Sequence, residues 1–145
     1  YQYSYLLPRA LLMEPGWPPN FHPSEFQCKC CGTIGNEHTA RHLAWSLQSI
    51  RNIVGPLVIN SAYRCPKHNA TVGGAKNSQH LESAAADIVS PHSNVSPIAL
   101  QDTLLGMMEH NSIPNGGLGR YNTFTHYDIR LTPARWDNRS KENGQ

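Results

Sequence analysis

The stretch NSQHLESAAADIV, residues 77–89, decides how the rest of the chain is read. Its last six residues are apolar except for Asp87, which sits between Ala86 and Ile88. A short run of this kind reads as a buried strand. A carboxylate inside it is costly unless a cation or several donors stand beside it. His80 lies seven residues upstream in a polar loop. The partner of Asp87 must come from His80 or from further along the chain.

Outward from this stretch the punctuation is clear. Residues 37–54 carry Leu43, Leu47, Ile50 and Val54 on one helical face, and Gly55-Pro56 ends the pattern, so a helix is expected there. PLVIN (56–60) reads as a short buried strand. The polar segment 61–78 reads as a long loop with one helical turn after Pro66, and loops of that length in a compact domain usually serve function. Ser96 and Pro97 read as an N-cap followed by the first helical position. They open a helix to about His110 whose inner face is Leu100, Leu104 and Met107/Met108. GLGRY (117–121) and TFTHYDIRL (123–131) read as strands joined by a turn. In the second, Thr125, Tyr127 and Ile129 fall on one face and His126, Asp128 and Arg130 on the other. A histidine, an aspartate and an arginine on one strand face are unusual for a purely structural strand.

The 145 residues suffice for one domain. The expected division is an extended arm over residues 1–24, a domain over 25–136 and a polar, frayed tail over 137–145. Prolines exclude a long helix from the arm, which should pack through Trp17, Phe21 and Phe26. A formal net charge of +2 without a Lys/Arg block gives no footprint for nucleic acid, and no apolar run reaches the ~18 residues of a membrane span. The chain starts at Tyr1 rather than Met, so its start is expected to have been trimmed. Four cysteines, three in CKCCG (28–32) and one at 65, allow a disulfide framework, a second, structural zinc or free buried thiols, and the disulfide reading is preferred because CxCC lacks the paired C-x₂₋₄-C knuckles of a zinc site. Three N-x-S/T sequons, at Asn69, Asn94 and Asn138, are weak glycosylation signals. Trp45 is expected in the core, Trp136 in the core or in a cleft wall, and His68 in a loop-bonding role. His22, His38, His42, His92 and His110 are expected at the surface.

His80, Asp87 and His126 together make a three-ligand set with room for a water, the arrangement of a catalytic zinc. Such an ion would be the missing partner of Asp87 and would lower the pKa of its water toward ~7.

The order of motifs resembles the zinc D-Ala-D-Ala peptidases. SQHLESAAAD (78–87) is similar to that family's S-x-H-x-x-G-x-A-x-D motif, SAYRCPKHN (61–69) to S-G-Y-R-x-P-x-H-N, and VGGAKNSQH (72–80) to V-G-G-x-x-x-S-x-H. FTHYDIR (124–130) is similar to the H-x-D-x-R ending of one branch, with ARW (134–136) and the S-E-F-x-C opening (24–28) on either side. The resemblance covers residues 22–136. It implies an α+β fold in which a small, mostly antiparallel sheet is backed by two or three helices and carries zinc on its open face. It implies one catalytic Zn2+ on His80, Asp87 and His126, and Arg64 on the substrate carboxylate or the oxyanion. Ser78 would fix substrate or ligand loop.

Asp128 is expected as general base or as orienter of a ligand histidine, with Glu82 the outside candidate. The acid found in several members three residues before the last histidine is replaced here by Thr123. Ser83 stands where the family has Gly, and would be strained if φ is positive. The implied activity is hydrolysis of peptidoglycan peptides next to D-amino acids, as a D,D-carboxypeptidase or an endolysin, by an extracytoplasmic monomer. The competing readings are an inactive zinc-bearing domain of the same fold that binds a wall peptide or protein, and a disulfide-rich interaction module.

Overall fold

The computed structural model describes residues 16–91 and 95–140. Five strands form one open sheet in the order β1-β2-β4-β3-β5. They are β1 (Val58–Ser61), β2 (Ala85–Val89), β3 (Gly117–Arg120), β4 (Thr125–Asp128) and β5 (Ala134–Asp137). Every pairing is antiparallel except β3 with β5, which is parallel. The α+β class and the mostly antiparallel sheet are as expected.

Among the described residues three α-helices accompany the sheet: α1 (Glu37–Val54), α2 (Pro66–Thr71) and α3 (Pro97–Glu109). Each begins as its sequence dictates. Asn36 Oδ1 accepts from Thr39 N at 3.0 Å, and Ser96 Oγ accepts from Ala99 N at 3.1 Å with Pro97 at the first turn. Gly55, at φ 90°, ends α1. Leu43, Leu47 and Ile50 of α1 and Leu100, Leu104 and Met108 of α3 are fully buried in one cluster with Ile88, Leu118 and Tyr127 of the sheet. The helices therefore cover one sheet face, and the alternate residues of β2 and β4 are left for the other.

Several expectations are corrected. PLVIN is not a buried strand: β1 is an edge strand, and Val58 is 43% exposed. The strand through residues 123–131 shortens to Thr125–Asp128, and ARW builds a fifth strand that was not expected. β5 has no hydrophobic alternation to announce it, and its place is set by pairing with β3. The tail is tied as far as Ser140: Asn138 N donates to Arg120 O at 2.8 Å, and Ser140 N to Asn122 Oδ1 at 3.2 Å. Trp45 is half-buried, its Nε1 donating to Gly16 O at 2.9 Å.

Residues 1–15 of the expected arm lie outside the described residues, as do His92, Asn94 and residues 141–145. What is described of the arm packs firmly. Trp17 and Phe21 contact Phe26 with ring centroids at 5.2 and 6.2 Å, and Pro23–Phe26 forms a 3-10 turn capped by His22. Asn69 is buried, with its amide engaged by Arg64 and Ala75 O, so its sequon is closed to a glycan.

Candidate metal centre

Two rows of residues run across the open face of the sheet. In the first, Asp87 of β2 stands opposite His126 of β4, His126 opposite Gly119 of β3, and Gly119 opposite Trp136 of β5. In the second, Ala85, Asp128, Gly117 and Ala134 follow in the same order. Cross-strand neighbours of this kind lie close enough for their side chains to meet. The glycines make the rows possible. A Cβ on Gly117 would overlap the Asp128 carboxylate, and one on Gly119 would press on the Trp136 ring.

His80 arrives from a 3-10 turn, Gln79–Glu82, whose N-cap Ser78 accepts from His80 N at 3.1 Å. The turn closes on Ser83, which adopts the left-handed conformation at φ 61°. The Ser83 hydroxyl accepts from Asn36 N at 2.9 Å and donates to Ile34 O at 2.8 Å, which offsets the strain of that conformation.

Hydrogen bonding fixes which ring atoms face one another. His80 Nδ1 lies 2.6 Å from Ala62 O and must donate to it, leaving Nε2 bare toward Asp87 Oδ1 at 3.3 Å. His126 Nε2 lies 2.7 Å from Asp128 Oδ2, while its Nδ1 faces Asp87 Oδ1 at 3.1 Å. Asp128 is fully buried and also accepts from Gly117 N, from Arg130 N, and from Arg130 Nε and Nη2 at 2.8 and 2.7 Å. That crowd of donors keeps it ionised, so His126 Nε2 is the protonated nitrogen. One nitrogen of each ring and one carboxylate oxygen then converge, a donor set for a cation once the rings are neutral.

A tetrahedral ion with bonds of ~2.0 Å needs ligand atoms about 3.3 Å apart, which the two ring-to-carboxylate separations match. All three residues are buried and their ligand atoms lie within 4.8 Å of one another. Two imidazoles and one carboxylate suit zinc.

Ionisation follows the same contacts. Burial opposes charge on Asp87, but the His126 and His80 rings overcome it and hold the carboxyl well below the ordinary range. For Asp128, burial is overcome first by Arg130 and then by His126, with the same result. Burial also opposes a charged His126, and the Asp128 and Asp87 carboxylates raise its pKa above the ordinary value.

The three ligand-type residues line a cleft of about 520 Å³. Arg64, Ser78, Tyr121, Arg130 and Trp136 form other parts of its wall. Arg64 Nη2 reaches Asp87 Oδ2 at 3.3 Å, while its Nε and Nη1 donate to Ser61 Oγ and Asn69 Oδ1. Asp87 is the one carboxylate lining the cleft among the described residues. Glu82 and Thr123 are exposed and stand outside that wall. A family model described as Peptidase M15 matches residues 19–128.

This chain belongs to the peptidase M15 family.

A curated relative, the zinc D-Ala-D-Ala carboxypeptidase of Streptomyces albus G, is 41% identical over 46 residues. The match covers 30% of this chain and 18% of the relative's own length. Sequence reasoning brought forward Arg64, Ser78, His80, Asp87, His126 and Asp128, and all six meet in or beside this one cleft of the M15 domain. It gave no part to Asn69, Gly117, Tyr121 or Arg130, and left Trp136 open between core and cleft wall. Trp136 stands in the wall, with Nε1 donating to Tyr121 Oη at 3.0 Å and its ring 4.9 Å from His126. The alternation of His126, Asp128 and Arg130 on one strand face was a signal for Arg130. Nothing local marked Gly117, whose role comes from the pairing of β3 with β4.

Proposed function

We propose that this chain is a zinc-dependent peptidase acting outside the cytoplasm on peptidoglycan peptides, at bonds next to D-amino acids, as a D,D-carboxypeptidase or an endolysin-type endopeptidase. One observation carries the reading: His80 Nε2, Asp87 Oδ1 and His126 Nδ1 converge in a cleft that also holds a cationic side chain. The peptide specificity rests on the name of the Streptomyces relative. When bound, one zinc ion supplies Lewis acidity toward the scissile carbonyl and lowers the pKa of water.

The chain's own residues set up that chemistry. His80 and His126 present one bare nitrogen each, and Asp87 adds an oxygen while its second oxygen rests on Arg64. Arg64 places a permanent positive charge where a carbonyl oxygen gathers negative charge, or where a terminal carboxylate docks. Ser78 caps the turn that presents His80. Asp128 is a positioning residue here: it holds the proton on His126 Nε2, and so frees Nδ1, while Arg130 holds Asp128.

A second reading is favoured by the cleft wall, where Asp87 is the one carboxylate among the described residues and no free acid stands ready as a base. Under it, the domain holds zinc and binds a wall peptide without turnover. Digestion of purified peptidoglycan and soluble muropeptides by the zinc-loaded chain, read by mass spectrometry beside a chelated control, separates the two. Defined fragments that vanish on chelation support the peptidase, and their masses give the bond. Binding of muropeptides without release supports the binding domain.

A further inference from the structure

Away from the cleft, Cys28, Cys31 and Cys65 bring their sulfurs within 4.8 Å of one another. None of the four cysteines is disulfide-bonded in this structure. Cys28 is buried, Cys65 is half-buried, and Cys30 and Cys31 are exposed. Residues 28–32 make a C-x-x-C-G turn: Gly32 N donates to Cys28 O at 2.8 Å, Cys28 N to Thr33 O at 2.7 Å, and Gly32 takes φ 73°. Cys65 N donates to the Cys28 sulfur at 3.3 Å, and the Cys65 sulfur accepts from His68 N at 3.4 Å. A sulfur that accepts from a backbone amide is favoured in its charged form, and several thiolates can share a site only around a cation.

We propose that Cys28, Cys31 and Cys65 hold a second zinc ion, a structural one, with Cys30 or water in the fourth position. Sulfurs around a tetrahedral zinc with ~2.3 Å bonds stand about 3.8 Å apart, so the three need only a small inward shift. Thiolates select a soft or borderline ion, unlike the imidazole and carboxylate set in the cleft. Each ligating thiol releases its proton to solvent, and no redox step is needed. The ion would tie the turn after Phe26 to the residue that follows Arg64. It would thereby hold the loop that carries a cleft side chain, and it stands whether or not the chain is a peptidase.

The test is cobalt(II) titration of the full chain, because cobalt reports its ligands. Two equivalents should bind, one giving the intense near-ultraviolet charge-transfer band of cobalt–thiolate bonds. Cys65→Ser should lose one equivalent and the band, and His80→Ala should lose the other equivalent and keep the band. If Cys65→Ser does not fold, thiol labelling of the unaltered chain decides. Zinc saturation should protect at least three of the four thiols by tenfold or more. Absence of the band, four reactive thiols at zinc saturation, or a Cys28–Cys65 disulfide in the intact mass of the isolated chain would each overturn the proposal. Failure of the cleft site would instead remove the equivalent that gives no band.

Discussion

A carboxylate that accepts at once from Gly117, His126 and Arg130 has little affinity left for another proton. This separates the two roles open to Asp128. As the orienter of His126, its change to Asn should weaken zinc affinity by about 10–100-fold, with activity falling by a similar factor. As a general base, the same change would cost about 10²–10⁴ in kcat and leave zinc affinity intact. Zinc competition titrations beside peptidase assays distinguish them, and we expect the first pattern.

The charges also set a pH dependence for the metal-free protein. Asp87 and Asp128 have folded pKa values below the ordinary 3.8, so the stability they contribute is complete above that value and is lost as pH falls below it. His126 has a raised folded pKa, so its contribution is complete below 6.5 and is lost as pH rises through the raised value. Thermal melts of chelated protein should therefore peak between those limits. A Tm still climbing below pH 4 would contradict this.

At the scale of the element, the turn closed by Ser83 and the pairing of β3 with β4 can be tested separately. Ser83→Ala keeps the left-handed backbone strain and leaves Asn36 N and Ile34 O without their partner, which should cost about 1–3 kcal/mol. Ser83→Gly loses the same bonds but relieves the strain, so it should be more stable than the alanine variant by about 1 kcal/mol. Chemical denaturation of both variants reads the difference. Gly117→Ala puts a methyl group into the Asp128 carboxylate, and we expect a loss of about 1–3 kcal/mol together with weaker zinc binding. Unchanged zinc affinity in that variant would show that Asp128 does not govern His126.

The same elements show how far the sequence reached. Helix α1 was legible because the apolar period and Gly55-Pro56 agree, and the Asn36 cap completes its start in the structure. The run at 84–89 and the two faces of 125–130 gave the ligand set. β5 and the burial of β1 were not legible, because an edge position is decided by tertiary pairing and not by local pattern. The family's glycine at position 83 raised a positive φ only as a condition, which the structure meets. Its compensation was not, because Asn36 and Ile34 are distant in sequence.

Across the whole molecule, helices fill one face of the sheet and leave the other to Asp87, His126, Asp128 and Trp136, with His80 and Arg64 brought over from the neighbouring loop. The described helices include none long and apolar enough to cross a membrane. A metal that binds the folded chain alone should raise its stability by about 4 kcal/mol at a thousand times Kd, so chelation should lower Tm and restored zinc should recover it. The central claim is that His80, Asp87 and His126 hold a metal between them. Anomalous diffraction at the zinc edge from crystals of the zinc-loaded chain tests it most directly. The account predicts a peak bounded by His80 Nε2, Asp87 Oδ1 and His126 Nδ1. A zinc-saturated crystal with no peak there, or with a peak only among the cysteines, would contradict it.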